Sequence, residues 1–161
     1  MIYMKYVLSI LFAFTLTATA SATRFGLGGG SYLYPYQFEG EKAIVLSFYT
    51  TREYCLRDEV IVKFKLADGK IIRLTGKKTT SKHTEMYVNH SNVTNSPSQI
   101  WEIYQVVLPI TNQQIEMFSV STVEKVVINT LPKVFVSKTE NKDFTPSLYK
   151  ELKELKDEFS Q

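Results

Sequence analysis

The chain is short of the residues that cross-link, punctuate or repeat a fold. One cysteine in 161 residues leaves no internal disulfide to form. Seven glycines and five prolines exclude a collagen-like or low-complexity chain. A formal charge of +3 falls far short of the strong basicity of a dedicated nucleic-acid binder, so no nucleic-acid partner is expected. No apolar run reaches the about 20 residues that a spanning helix needs. Also missing are an H-E-x-x-H pair, a phosphate loop closed by Lys-Ser/Thr, and any Ser/His/Asp order that stands out. No catalytic residue, cofactor or metal site is therefore named.

What is present begins with an address. Met1 to Ala22 combines Lys5, an apolar run from Val7 to Thr17, and Ala20-Ser21-Ala22 as a small-x-small cleavage signal. Residues 1–22 are read as a signal peptide, with Met4 an alternative start. Lys5 is the only charge lost with it, and no transmembrane segment is expected after cleavage. The body that remains is long enough to bury roughly 70% of its unfolded surface, so it can fold without disulfides. The expected location is outside the cytoplasm, in a bacterial periplasm or beyond. The single Cys55, among apolar neighbours, reads as a buried small hydrophobe.

Residues 23–40 read as a flexible Gly/aromatic arm, and 41–161 as a single β-rich domain. Gly26, Gly28, Gly29 and Gly30 suit a linker beside a cleavage site. Tyr32, Tyr34, Tyr36 and Phe38 recur with period two, which puts them on one side of an extended segment. Pro35 confines that segment to an edge or to no sheet at all. The stripe either packs along the domain or forms an exposed platform for a glycan or partner chain.

Ala43–Tyr49 is a mostly apolar run and reads as a central strand. Val60–Leu66 and Ile71–Thr75 form a hairpin, and side-chain parity selects its turn. A three-residue Ala67-Asp68-Gly69 loop sets Phe64 opposite Ile72 and Val62 opposite Leu74, which keeps the faces clean. The same register places Lys63 opposite Arg73 with Lys65 beside them. Like charges across a ladder are mildly destabilising. This face is thus either a solvated lysine face or a basic patch for an acidic glycan, lipid phosphate or nucleic acid, though it lacks the aromatic interleaving that single-strand binders use. His83, Glu85 and His90 share a polar stretch, but their spacing lacks the tight ligand geometry of zinc sites. Asn89-His90-Ser91 and Asn92-Val93-Thr94 match the glycosylation pattern and, in a bacterial exported protein, only mark surface.

Ile100–Leu108 alternates as a strand. Thr111 and Gln114 then form a capping box, with Ile110 and Ile115 as its hydrophobic staple, opening a short helix at about 112–118. Val123–Thr130 and Lys133–Ser137 return as strands. Thr145 as cap, Pro146 in first position and Leu148, Leu152, Leu155 and Phe159 on one stripe predict an amphipathic helix at about 146–159.

The order from Tyr104 to Thr130 is strand, capped short helix (ITNQQIEMF) and Val/Ile-rich strand (VEKVVINT), and a charged C-terminal helix follows. It resembles uncharacterised small exported proteins of Bacteroidota-type bacteria. Lys125-Val126-Val127-Ile128 keeps their apolar strand but lacks its arginine. The resemblance covers about a third of the chain and implies compartment and architecture, with no activity attached.

The expected fold is α+β, mainly antiparallel β: a small sandwich or curved sheet covered by the C-terminal helix. The expected function is a non-catalytic binding or structural module of the cell envelope, with an envelope protein or glycan as partner. Its candidate contact residues are Tyr32, Tyr34, Tyr36, Lys63, Lys65 and Arg73. A secreted hydrolase using two of Glu53, Asp58, Glu59 and Glu85 is the enzymatic alternative, and a basic-face binder of anionic glycan or lipid is the third reading.

Overall fold

The computed structural model describes residues 23–79, 83–87 and 99–155. The expected signal peptide, His90, both glycosylation patterns and Phe159 lie outside them. Within the described residues the protein is α+β and mainly antiparallel. One sheet has five strands: β1 (Phe25–Gly28), β2 (Ser31–Phe38), β3 (Glu41–Tyr49), β8 (Gln99–Pro109) and β7 (His83–Tyr87), in that spatial order. The other has four, in the order β11 (Phe135–Lys138), β9 (Val123–Ile128), β5 (Glu59–Leu66), β6 (Ile71–Lys77). Between them in sequence, β4 (Tyr54–Cys55) and β10 (Leu131–Pro132) make a two-residue pairing.

The two large sheets enclose one core. Leu33, Ile44, Leu46 and Phe48 from the first meet Val60, Val62, Phe64, Ile72 and Leu74 from the second, all buried. Strand β3 is central, as its apolar composition required, and is buried on both faces from Lys42 to Phe48. The β5–β6 hairpin adopts the register that parity selected: Phe64 faces Ile72, Val62 faces Leu74 and Lys63 faces Arg73. Its turn closes with Gly69 at φ +86°.

Residues 23–40 are not a free arm. They form the β1–β2 hairpin, with Phe25 and Leu27 in the core and Phe25 edge-on to Phe144 at 5.5 Å. The glycine run is the turn itself: Gly28, Gly29 and Gly30 all have positive φ, which side-chain-bearing residues resist. Strand β1 pairs only with Ser31–Leu33, so Pro35 lies beyond its reach, at a position without a neighbour on that side.

Two helices close one end. Helix α1 (Asn112–Val120) starts at the expected box: the Gln114 amide donates to Thr111 Oγ1 at 3.1 Å and the Thr111 amide to Gln114 Oε1 at 3.0 Å. Ile110 and Ile115 are both buried, and Phe118 stands edge-on to Phe64 at 5.4 Å. Helix α2 (Phe144–Glu154) docks Leu148 and Leu152, both fully buried and each contributing about 2 kcal/mol, against α1 and β2. It begins two residues earlier than the expected 146 and ends at Glu154, so Leu155 is its extended C-cap rather than part of its stripe. Thr145 is not its cap: Thr145 Oγ1 accepts from the buried Val123 amide at 2.9 Å, tying α2 to β9 instead. Glu116 on α1 accepts from Lys153 Nζ at 2.5 Å and from the Tyr149 hydroxyl at 3.1 Å, joining the helices at the surface.

Strand β6 runs from one sheet to the other. Past its end Lys78 bridges to Val106 and the Thr79 amide donates to the Gln105 carbonyl at 3.1 Å, both on β8. Gly76 makes the crossing possible. A Cβ there would overlap the Val107 carbonyl oxygen and press on Val106.

Candidate functional site

The outer face of the four-stranded sheet gathers the predicted cations and adds two more. In an antiparallel ladder, Cα partners project to the same face. Lys63 partners Arg73 on one side and Val127 on the other, and Val127 partners Val136. The adjacent row is Lys138, Lys125, Lys65, Ile71, one from each of the four strands. Three lysines thus stand side by side across β11, β9 and β5, with Lys63 and Arg73 one pleat away. None of the five makes an ion pair among the described residues. Glu59 faces Lys77 at the far end of the hairpin, and Glu124 lies at the β5–β9 irregularity.

Lys125 and Lys138 were not among the sequence candidates. Their alignment with Lys65 depends on the β5–β9 pairing, between residues about 60 apart, to which β11 adds by pairing with β9. The only local signal is Lys125 and Val127 alternating with buried Val126 and Ile128. Exposed aliphatics frame the cations: Ile71 and Val136, each 49% exposed, end their rows on opposite edge strands.

Tyr32, Tyr34 and Tyr36 lie on the other side of the molecule, on the outer face of the five-stranded sheet. They partner Ser47, Val45 and Ala43, while Leu33 and Pro35 point into the protein. All three rings are half-buried. The Tyr34 hydroxyl donates to Gln105 Oε1 at 3.1 Å, and the Arg24 guanidinium sits 4.5 Å from the Tyr32 ring centre. Burial holds the Tyr34 and Tyr36 phenols above their ordinary range. The stripe is therefore neither core nor bare platform, and it does not join the basic residues in one site.

Of the carboxylates named for hydrolysis, the side chain of Glu85 lies outside the described residues, and Glu53 and Asp58 each pair with a different lysine. Glu53 pairs with Lys133 at 3.0 Å, and fully exposed Asp58 with Lys78 at 3.7 Å. Hydrogen bonding to Glu53 raises the Lys133 pKa. A cleft of about 330 Å³, lined by Tyr49, Tyr54, Phe135, Arg52 and Glu53, contains one carboxylate. A second, of about 310 Å³ beside the start of α1, contains only Glu41. Neither has the carboxylate pair that glycoside hydrolysis uses.

Cys55 is exposed rather than buried, its Sγ 3.7 Å from the Thr51 carbonyl. The two-residue pairing of β4 with β10 turns it outward while Leu56 takes the buried place. Among the described residues no three His, Cys, Asp or Glu side chains gather as a metal site, and no helix is long and apolar enough to cross a membrane. No family model, curated protein or solved structure was found to match this chain.

Proposed function

We propose that this protein is a non-catalytic, exported binding module of the cell envelope that holds an anionic partner on the outer face of its four-stranded sheet. The observation that carries the reading is the row Lys138, Lys125, Lys65 with Lys63 and Arg73 beside it, none of them ion-paired among the described residues. A sheet face serving solubility alone gains from alternating charge across its ladders, because opposite charges attract there and like charges repel. Five neighbouring cations forgo that gain, and an anionic ligand restores it. The segment 1–22 and the resemblance to small exported proteins support placement outside the cytoplasm. The tyrosine stripe is the lesser candidate, because Tyr32 and Tyr34 already use their rings or hydroxyl within the chain.

Heparin provides the test. The wild-type chain is retained at low salt and eluted as salt rises, with a slope set by the number of cations engaged. The triple variant K65E/K125E/K138E, folded by circular dichroism, passes unretained. Equal retention of the two proteins refutes the reading.

A further inference from the structure

The shape and composition of the basic face narrow its partner, if the reading above holds. Adjacent strands lie about 4.8 Å apart and successive same-face residues about 6.8 Å apart. Five cations over four strands and two pleats therefore form a patch of roughly 15 by 7 Å, broad in both directions rather than a single file. A linear polysaccharide is best held by a groove with aromatic rings for its sugar faces. Neither described cleft is lined by any of the five cations, and no aromatic residue occupies the described outer positions of β5, β6, β9 and β11.

Besides the cations, Thr75 and the acids Glu59 and Glu124 at the margins, those positions contain aliphatics. Ile71 and Val136, each 49% exposed, sit at diagonally opposite corners of the patch, with half-buried Val127 next to Val136 and half-buried Ile61 one pleat beyond Lys63. Lysine stems extend such a surface, since their methylenes cover apolar neighbours while the ammonium groups stay in the polar layer. A level array of cations framed by exposed aliphatics complements one kind of surface: phosphates in a plane, with acyl chains beneath. We infer that this face seats flat on an anionic phospholipid bilayer, the five cations on headgroup phosphates and Ile71 and Val136 at the boundary with the acyl chains.

Co-sedimentation of the full chain with vesicles tests this. Mixed phosphatidylglycerol–phosphatidylcholine vesicles are compared with phosphatidylcholine alone, which reports any background from residues 1–22. Wild type binds the anionic vesicles more tightly and loses them as salt is raised. K65E/K125E/K138E weakens that binding at least about 100-fold, at about tenfold or less per cation lost and with further repulsion from each acid gained. I71S/V136S weakens vesicle binding about tenfold but leaves heparin retention unchanged, which a purely ionic polymer site requires. K65R/K125R/K138R binds as wild type and guards against effects of mutation on folding. Equal binding to both vesicle types, or vesicle binding indifferent to I71S/V136S, overturns the bilayer assignment. If heparin is still retained in that case, the anionic-partner reading stands and the ligand is a soluble polymer. Loss of both activities in the wild-type protein overturns both.

Discussion

Reversing one charge in the lysine row should make the protein more stable. Lys125 stands between Lys138 and Lys65 as Cα partner of each. With their ammonium groups about 6 Å apart in water, each pair repels by about 0.7 kcal/mol, reduced to about 0.3 kcal/mol at physiological ionic strength. Lys125→Glu turns two repulsions into two attractions of similar size. The expected gain is about 1 kcal/mol, within the range measured for cross-strand charge pairs. Lys125→Gln, which only removes the repulsion, gains about half as much. For a domain of this size 1 kcal/mol raises Tm by about 3 °C. Urea titrations at low, physiological and 1 M salt read the effect, and the three proteins converge at the highest salt because screening removes both signs of interaction. A Lys125→Glu protein less stable than wild type at low salt, or a difference indifferent to salt, would refute the assignment of the row. The same variant is expected to bind anionic ligand less well, so stability and binding move in opposite directions.

Gly76→Ala should destabilise by about 3 kcal/mol or more in the same titrations, since the new methyl meets backbone at the crossing and cannot swing aside. Thr145→Val keeps the shape of that side chain but leaves the buried Val123 amide without its acceptor, an expected loss of about 1–3 kcal/mol. The Lys153 ammonium, with help from the Tyr149 hydroxyl, holds the Glu116 carboxyl below its ordinary pKa. Its small contribution to stability is therefore complete above the unfolded-state pKa and is lost as pH falls through the lower, folded one. Carboxyl NMR should show Glu116 titrating below ordinary glutamates, and nearer to them in Lys153→Ala. Cys55 should react with a disulfide reagent in the native protein as fast as a free thiol does, whereas protection until unfolding would contradict its exposed position.

Much of the fold was legible where neighbours in sequence decide the structure. Parity across the Asp68-Gly69 turn fixed the β5–β6 register, and four residues from Thr111 to Gln114 marked the start of α1. The errors have specific causes. Three consecutive glycines serve a linker or a left-handed turn equally well, and only the alternation of Phe25 and Leu27 favoured the hairpin that is present. Thr145 has the chemistry of a helix cap, but the amide it serves belongs to β9, which packing alone brings near. Cys55 has apolar neighbours, but a strand turns successive residues to opposite sides, so Leu56 went in and Cys55 out. At the basic face the hairpin cations were legible. Lys125 and Lys138 join them only through the long-range β5–β9 pairing, which no local pattern reveals.

The passage of β6 from one sheet to the other gives the sandwich the asymmetry of a bound book. Along one side, continuous backbone through Gly76, Lys78 and Thr79 acts as a spine that cannot part without breaking main-chain hydrogen bonds. On the other side the short edge strands β1 and β11 meet as loose page edges, with no backbone ladder between them. Partial opening should begin at that fore-edge, so the amides of β1 and β11 should exchange with solvent well before those of β3 and β5. Lys138 and Val136 ride on one of those pages, so a ligand that gathers the lysine row would also pin that page to the rest of its own sheet.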